Sequence, residues 1–225
     1  MSKVVIVTGG SRGIGAATAK LLGAKGYAVC VNYLANRELA DDVADCIIRA
    51  GGRAFACQAD VSSEADVIRL FDAAEERFGK VTHLVNNAGI LFTQSKLVDI
   101  DLERFNQVLN SNVVSCFLCS REAVRRFPAG SAIVNVSSLA SQTGSPFEYV
   151  DYAASKGAMD TLTKGLSREV AGSGIRVNAV RPGFIYTDMH ADGGEPGRVD
   201  RLAPQIPMQR GGSAEEVANT IAWLL

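Results

Sequence analysis

The chain has 225 residues, 47% apolar and 21% charged, which suits a single globular domain and excludes a disordered chain. Lys and Arg number 23 and Asp and Glu number 24, so the net charge is −1, and a general basic surface for nucleic acid is excluded. No apolar run approaches the ~20 residues of a membrane span, and the apolar segment before Thr8 is too brief for a signal peptide.

Short apolar runs alternate with longer amphipathic stretches along the chain. The predicted strands, in order, are residues 3–8, 28–33, 53–60, 81–86, 132–136 and 175–180. The predicted helices are residues 13–25, 37–50, 62–78, 101–126 and 151–171. Repeated β-then-α units predict parallel strands with right-handed crossovers and helices on both faces. The predicted fold is therefore α/β, a Rossmann-type doubly wound parallel sheet in three α/β/α layers, as a single domain over residues 1–225.

Two segments do not fit this alternation. Residues 186–201 hold three glycines, one proline and several charges without a clear period, and a substrate lid is predicted over 186–203. The sequence ends in an apolar helix at Trp223-Leu224-Leu225, which makes a poor terminus. We therefore expect that native residues, including a C-terminal strand, are absent after Leu225.

The cysteines and histidines indicate little chemistry. Five cysteines, an odd number without disulfide-framework spacing, predict reduced thiols and a cytoplasmic location. Cys116 and Cys119 form a C-x-x-C pair inside an apolar helical run, which favours packing over zinc or redox chemistry. The two histidines, His83 and His190, are too few for most metal sites or histidine triads, so no metal site is predicted.

A glycine-rich turn over residues 8–15 lies between the first predicted strand and the first helix. Its glycines allow a sharp turn and let backbone N–H groups approach a phosphate at the helix N-terminus. The same residues match the G-x-S-x-G nucleophile elbow of α/β hydrolases, but that elbow follows later strands of the sheet. P-loop spacing is also present, yet Ala16 and Ala17 replace the required Lys and Ser or Thr. A dinucleotide-binding turn is the favoured interpretation.

The residues after the second predicted strand indicate which dinucleotide binds. NAD sites usually place a carboxylate there to hold the ribose 2′-hydroxyl, but this sequence has Asn32, Tyr33 and Leu34. Arg12 in the glycine turn and Asn36-Arg37 after the strand suit a 2′-phosphate instead. NADP(H) is therefore favoured, with NAD(H) as the alternative.

A tyrosine and a lysine one helical turn apart form the candidate catalytic pair. Tyr152 and Lys156 share a helix face, and the cation is expected to lower the pKa of the tyrosine toward working pH. Ser138 follows the fifth strand, where ligands of parallel sheets bind, and its hydroxyl can hydrogen-bond a carbonyl. Ser137 is the competing candidate for this role, but its hydroxyl is read as a structural one. Asn112 lies within the long fourth helix, where a buried amide needs a partner or a role.

Together these motifs resemble the short-chain dehydrogenase/reductase family over essentially the whole chain. The matching residues are Thr8, Gly9, Gly13, Ile14, Gly15, Asp60, Val61, Asn86, Asn87, Ala88, Gly89, Asn112, Ser138, Tyr152, Lys156, Arg181, Pro182, Gly183 and Thr187. The three-residue gap between Gly9 and Gly13 is similar to the short, simple-reductase branch, which includes 3-oxoacyl carrier-protein reductases and glucose 1-dehydrogenases. The resemblance implies hydride transfer between a nicotinamide cofactor and a carbonyl or alcohol.

The resemblance also implies roles for single residues. Tyr152 is the acid/base, Lys156 lowers its pKa and holds the nicotinamide ribose, and Ser138 polarises the carbonyl. Asn112 holds a water in a proton relay. From the turn, the second strand and the resemblance together, the predicted cofactor contacts are Gly9, Ser11, Arg12, Gly13, Ile14, Gly15, Asn32, Tyr33, Asn36, Arg37, Asp60, Val61, Asn87, Ala88, Gly89, Tyr152, Lys156, Pro182, Gly183, Ile185 and Thr187.

The favoured function is that of an NADP(H)-dependent carbonyl reductase or alcohol dehydrogenase. Its small-molecule substrate is a 3-oxoacyl thioester, a sugar, a ketone or an aldehyde. A non-catalytic dinucleotide-binding sensor or scaffold is the alternative, disfavoured because a binder does not need the Asn-Ser-Tyr-Lys set. A dehydratase or isomerase is disfavoured by the short glycine motif. By resemblance, the assembly is a homotetramer or homodimer.

The substrate surface is predicted over residues 140–150 and 184–201. Its aromatic and apolar members, among them Phe147, Tyr149 and Phe184, predict a partly apolar pocket. Tyr149 has no lysine four residues later, so it is read as pocket wall or surface.

Overall fold

Six parallel strands form one sheet, in the order β3-β2-β1-β4-β5-β6, in the computed structural model, which describes residues 3–225. The strands are β1 Val4–Val7, β2 Ala28–Tyr33, β3 Arg53–Gln58, β4 His83–Asn86, β5 Ala132–Val136 and β6 Arg176–Val180. The chain runs outward from β1 to β3 and then crosses to β4 on the other side of β1. An open parallel sheet forms a crevice at such a reversal, outside the carboxyl ends of its strands.

Helices cover both faces of the sheet. They are α1 Gly13–Ala24, α2 Arg37–Arg49, α3 Glu64–Phe78, α4 Leu102–Leu109, α5 Ser115–Arg126, α6 Ala140–Thr143, α7 Val150–Val170, α8 Met189–Asp192, α9 Arg198–Leu202 and α10 Ala214–Leu224. The predicted Rossmann-type three-layer fold is confirmed. In this described part of the chain, none of the helices combines the length and the hydropathy that crossing a membrane requires.

The sheet is buried on both faces, which explains the continuous apolar runs of its central strands. Every residue of β1 and β2 is buried. Val5 and Val7 belong to the core cluster that includes residues of α1, α2 and α10. Val4 and Ile6 belong to the opposite cluster, with residues of α3 and α5. Successive side chains of a strand point to opposite faces, so both must be apolar when helices cover both.

Local signals in the sequence end or begin several helices. Gly51 follows α2 with φ +85°, a conformation that glycine adopts without strain. α10 begins with a capping box, in which the Ser213 side chain accepts the N–H of Glu216 and the Glu216 carboxylate accepts the N–H of Ser213. Such reciprocal bonds satisfy N–H groups that the first helical turn leaves unpaired.

The helix predicted over residues 101–126 consists of three consecutive pieces. α4 begins after Asp101, whose carboxylate accepts the N–H of Arg104 at 2.8 Å. A π-helical segment, Asn110–Val114, then separates α4 from α5. Its central residue, Asn112, is fully buried and bonds to the backbone of Ile90 on both sides of its amide. Segments of this kind are common at functional sites, and one inserted residue is too small a change to disturb an amphipathic pattern.

The segment 186–203 contains regular structure, although its sequence has no clear period. Two short helices, α8 and α9, lie within it. Ile185 and Gly212 form an isolated parallel bridge that closes the base of the segment. In the described chain, α10 ends at Leu224 and is followed by no further strand.

A buried histidine predicts how stability depends on pH. Burial lowers the pKa of His83 from 6.5 to about 4; its Nδ1 lies 2.8 Å from Thr82 Oγ1. Between these two pH values the unfolded chain binds the proton more readily, so the free energy of unfolding falls as the pH falls. We expect His83 to contribute a loss of about 3 kcal/mol across that window.

Urea denaturation of the wild type and of His83→Gln, from about pH 4 to pH 7.5, measures this contribution. The variant should lose less stability on acidification than the wild type. Parallel stability curves for the two proteins would contradict the assignment.

Candidate active site

The turn between β1 and α1 is held against the end of β4 by the side chain of Asn87. Its Nδ2 donates to the carbonyl oxygens of Thr8 and Gly9 at 3.0 and 2.9 Å. Thr8 Oγ1 accepts the N–H groups of Asn87 and Ala88, each at 3.0 Å. A Cβ on Gly15 would lie 2.3 Å from Gly9 O and 2.5 Å from Asn87 Nδ2. This close packing therefore requires glycine at position 15.

A cavity of about 290 Å³ lies over this turn, at the reversal between β1 and β4. The predicted cofactor residues on its wall are Gly9, Ser11, Arg12, Gly13, Ile14, Asn32, Tyr33, Asn36, Asp60, Val61, Asn87, Ala88, Gly89 and Thr187. Gly15 lies beneath the turn. Arg37 is not on the wall: its side chain is 79% exposed and pairs with Asp41 one turn along α2.

The side chains of two predicted cofactor residues, Asn32 and Asp60, hydrogen-bond to other groups of the protein. The Oδ1 of Asn32 accepts the N–H of Gly9 at 3.3 Å, and its Nδ2 donates to the carbonyl of Ala59 at 3.1 Å. Asn32 thus joins the glycine turn to the end of β3. The Oδ1 of Asp60 accepts the N–H and the hydroxyl of Ser62 at 2.9 and 2.6 Å. These bonds fix the far end of the cavity.

A second cavity, of about 310 Å³, adjoins the first and shares Ile14, Asn87, Thr187 and Met189 with it. The predicted catalytic residues Ser138, Tyr152 and Lys156 line it together. Its wall also includes the predicted residues Pro182, Gly183, Ile185, Tyr149, Phe184 and His190. Phe147 is not on this wall and is 75% exposed. The structure thus brings three of the four predicted catalytic residues to a cavity beside the first one, while Asn112 is on the wall of neither.

Lys156 is buried and anchored to the end of β5. Its Nζ donates to Val136 O at 2.8 Å and lies 5.5 Å from the centroid of the Tyr152 ring. Burial lowers the pKa of Lys156 to about 8, while the charges of Cys116 and Asp160 act in the opposite direction. The ammonium therefore keeps most of its charge at neutral pH.

The pKa of Tyr152 differs from the sequence-based expectation. Burial raises it to about 12, and a hydrogen bond with Ser138 acts in the opposite direction. The net lowering expected from the sequence is wrong for this arrangement, because removing the phenolate from water has the largest effect on the pKa of Tyr152. Tyr152 is therefore protonated at neutral pH, which suits it to donate a proton.

Asn112 and Asn86 hold the elements that carry the site. Asn112 Nδ2 donates to Ile90 O and to Ser155 Oγ, each at 3.0 Å. Ser155 lies on α7 between Tyr152 and Lys156, so Asn112 ties the loop after β4 to the helix that carries this predicted catalytic pair. Asn86 Nδ2 donates at 2.9 Å to Asn135 Oδ1, which joins β4 to β5.

The sequence analysis did not predict two partly buried ion pairs at the site. Asp151, next to Tyr152, accepts from Arg104 Nε at 2.7 Å and from the N–H of Tyr152 at 2.9 Å. Arg198 of α9 is 5% exposed, and its guanidinium donates to both carboxylate oxygens of Glu148, at 2.8 and 2.5 Å. The sequence contained one signal for Asp151, since an acidic side chain in the first turn of a helix is stabilised by the helix dipole. Nothing in the sequence marks Arg198, since the pair spans 50 positions.

Arg198 fastens the segment 186–203 to the loop before α7. Its guanidinium lies 5.0 Å from the Tyr149 ring and 5.6 Å from the Phe184 ring, at distances where a cation is attracted to an aromatic face. The Tyr149 hydroxyl donates to Gly193 O at 3.3 Å. Tyr149 is thus pocket wall, as predicted, and it helps to hold the segment over the second cavity.

The C-x-x-C pair packs in the core. Cys116 and Cys119 are buried in α5, and burial raises the pKa of both thiols. Among residues 3–225, no group of three or more His, Cys, Asp and Glu side chains is arranged to hold a metal ion.

Known proteins share this sequence and this fold. A family model described as enoyl-(acyl carrier protein) reductase matches residues 9–225. An Escherichia coli K12 protein named uncharacterized oxidoreductase YgfF is 61% identical, over 99% of this chain and 92% of its own length. A 3-oxoacyl-[acyl-carrier-protein] reductase of Synechocystis is 38% identical, over 99% of this chain and 89% of its own. The chain belongs to the short-chain dehydrogenase/reductase family.

Solved structures of this family superpose closely on the chain. A short-chain dehydrogenase from Burkholderia cenocepacia, in complex with NADP, has a TM-score of 0.90 and 39% identity. The match covers 98% of this chain and 89% of that one. A dehydrogenase/reductase from Sinorhizobium meliloti has a TM-score of 0.93 and 34% identity. That match covers 100% of this chain and 88% of the other. As a short-chain dehydrogenase/reductase, the protein is an NAD(P)H-dependent oxidoreductase, and the comparisons give no support to a non-catalytic sensor.

The first cavity fits the nicotinamide dinucleotide that this family binds. Gly9 lies so close to β4 that an added Cβ would be 3.0 Å from Ala88 Cα. Gly9, Ser11 and Gly13 of the turn line the cavity at the N-terminus of α1, where backbone N–H groups can bind a phosphate. Arg12 adds a positive charge on the wall, and no acidic residue ends β2.

Gly15→Ala tests the packing of this turn in the short-chain dehydrogenase/reductase. The added Cβ would meet Gly9 O at 2.3 Å, so the turn must shift, and we expect NADPH affinity to fall by about tenfold or more. Fluorescence titration with NADPH measures the Kd, and thermal melting shows that the variant is folded.

Gly172→Ala is the matched control, because a Cβ there would meet no described atom within 4 Å. It should bind NADPH like the wild type. Unchanged affinity in Gly15→Ala would contradict the packing argument.

Proposed function

We propose that the protein is an NADP(H)-dependent reductase of small carbonyl compounds, which also oxidises the corresponding alcohols. One observation carries the proposal: Ser138, Tyr152 and Lys156 meet on one cavity that opens beside the cofactor cavity. A dinucleotide-binding protein without chemistry would have no use for a buried lysine beside the ring of a half-buried tyrosine.

Charge supports NADP(H) over NAD(H). Arg12 and Asn36 line the cofactor cavity, and the end of β2 carries Asn32 and Tyr33 where a carboxylate would select a free ribose hydroxyl. A guanidinium pairs well with a phosphate. The relative from Burkholderia cenocepacia was solved with NADP, which agrees with this choice.

The proposed chemistry uses three side chains. The bound nicotinamide supplies the hydride in reduction and accepts it in oxidation. Ser138 donates a hydrogen bond to the carbonyl oxygen and orients it. Tyr152 gives its phenolic proton to that oxygen as negative charge develops there. Lys156, held by Val136 O, stabilises the phenolate that remains and holds the nicotinamide ribose.

Asn112 completes the proposed set as a relay and positioning residue. It bonds to Ser155 Oγ, which in turn donates to Tyr152 O at 2.6 Å. These bonds fix the first turn of α7, and with it the direction of the Tyr152 ring. The proton that Tyr152 gives away is restored, in this proposal, through a water held at Asn112.

The second cavity suits a substrate with an apolar part. Leu91, Leu139, Phe184 and Met189 lie on its wall, and residues 186–203 cover it as a lid. We propose a ketone, an aldehyde or a 3-oxoacyl thioester, the last because relatives are named as reductases of that class.

A homotetramer or homodimer in the cytoplasm is also proposed. Leu102 and Phe117 on α4 and α5 are 73% and 45% exposed, and Trp223 on α10 is 83% exposed. Such large apolar side chains suit burial between subunits. Light scattering of the purified protein tests the assembly.

All five cysteines are free thiols, as suits a reducing compartment such as the cytoplasm.

The test of the proposed function is NADPH and NADH oxidation with a panel of carbonyl compounds. Ketones, aldehydes, sugars and 3-oxoacyl thioesters are offered beside a trans-2-enoyl thioester. Turnover of a carbonyl with NADPH preferred supports the proposal. Turnover of the enoyl thioester alone would replace it by carbon–carbon double-bond reduction, and preference for NADH would refute the cofactor argument.

Tyr152→Phe locates the chemistry. Without the phenolic proton, kcat should fall by about 10²-fold or more, while NADPH still binds with nearly wild-type Kd. Tyr149→Phe removes a hydroxyl from the same cavity and should lower kcat by less than about tenfold. Equal losses in the two variants would contradict the role of Tyr152.

The pH dependence follows from the two shifted pKa values. Alcohol oxidation needs the Tyr152 phenolate, and because the pKa of Tyr152 is raised to about 12, the phenolate fraction grows with pH. We expect kcat/KM for oxidation to rise, by up to about tenfold per pH unit, until Lys156 loses its proton near its pKa of about 8. Carbonyl reduction uses the phenol and should change little over the same range. Rates of both directions from about pH 6 to pH 9 check this; a flat oxidation profile below pH 8 would contradict it.

A further inference from the structure

An ion pair joins the lid to the glycine-rich turn. The Arg12 guanidinium hydrogen-bonds the carboxylate of Asp192, the last residue of α8. The partners are 180 positions apart in sequence, and both side chains are about half exposed, at 44% and 46%. Arg12 also lies on the wall of the cofactor cavity, as do Asp188 and Met189 of the same lid segment.

The same guanidinium is the group proposed above to bind the cofactor 2′-phosphate. Two anions cannot both use it fully, because they would repel each other across a few ångströms. A phosphate monoester carries about −1.5 to −2 charge at pH 7 and accepts more hydrogen bonds than a carboxylate. The phosphate should therefore displace Asp192, at the cost of the ion pair that it breaks.

We propose that Asp192 is a specificity-determining residue, which competes with the 2′-phosphate for Arg12 and so limits the preference for NADP(H) over NAD(H). The inference rests on the proposed function, in that Arg12 must contact the 2′-phosphate. Because the ion pair is half exposed, its effect is modest. Asp192→Asn should tighten binding of 2′-phosphorylated nucleotides by about two- to fivefold and leave unphosphorylated ones nearly unchanged.

The rest of the lid is held independently of this pair. Tyr149 donates to Gly193 O, and Arg198 grips Glu148. Loss of the Arg12 contact therefore leaves the wall of the second cavity in place. A change in nucleotide affinity in Asp192→Asn would thus reflect the competition and not a collapse of the lid.

The experiment uses two nucleotides that lack nicotinamide. Calorimetry gives the Kd of adenosine 2′,5′-bisphosphate and of adenosine 5′-monophosphate for the wild type, Asp192→Asn, Arg12→Gln and the double variant. Asp200→Asn is the control, because it removes an equal charge from the same segment at a residue that is on neither cavity wall and accepts from the Tyr186 hydroxyl. The expected result is a gain in Asp192→Asn for the bisphosphate, little or no gain in Asp200→Asn, and no gain from Asp192→Asn once Arg12 is Gln.

The outcomes separate this inference from the proposed function. If the wild type binds the bisphosphate more tightly and Arg12→Gln abolishes that preference, the assignment of Arg12 stands. If Asp192→Asn then has no effect, or gains equally for both nucleotides, the competition is overturned alone. If the wild type does not distinguish the two nucleotides, the proposed NADP(H) preference fails, and the role of Asp192 fails with it.

Discussion

The side chain of Asn87 is the contact on which both cavities depend. It bonds the carbonyls of Thr8 and Gly9 to the end of β4, where the strand order reverses. Gly15 packs beneath it, so close that a Cβ would need the space that Asn87 Nδ2 occupies. The cofactor cavity lies over this contact, and the second cavity shares Asn87 as part of its wall. The relative position of the two cavities is therefore set by backbone and short side chains, which leave little freedom to move.

Buried polar groups fix α7, the helix that carries Tyr152 and Lys156, on the sheet. A buried polar group is costly unless it is bonded, and here the bonds run between elements. Lys156 of α7 bonds to Val136 O on β5, and Asn135 on β5 donates to Thr163 of α7 at 2.8 Å. Breaking one such bond leaves its partner unpaired, at about 1–3 kcal/mol. The network thus holds Tyr152 in place, which is the preorganisation that the proposed proton transfer needs.

The sequence predicts the sheet well because its central strands are buried on both faces and are apolar along their whole length. The candidate pair Tyr152 and Lys156 was predicted from its spacing of one helical turn, and Ser138 from its place at the carboxyl end of a parallel strand. Three features were beyond the sequence. The π-helical segment around Asn112 shifts the amphipathic pattern too little to detect. The raised pKa of Tyr152 depends on burial, and Arg198 finds Glu148 only in the folded chain.

The charges of the lid divide it into a firm part and a loose part. Val199 and Leu202 of this segment are buried, and two ion pairs hold the segment as well. Arg198 is buried, bonded to both oxygens of Glu148 and flanked by two aromatic rings, and breaking a pair of this kind leaves a buried charge unpaired. Asp192 pairs with Arg12 in half-exposed surroundings, where an ion pair contributes at most about 1 kcal/mol. The firm part lines the second cavity and the loose part lies beside the first. In the proposed function, the lid can therefore yield to the nucleotide without changing the shape of the proposed substrate cavity.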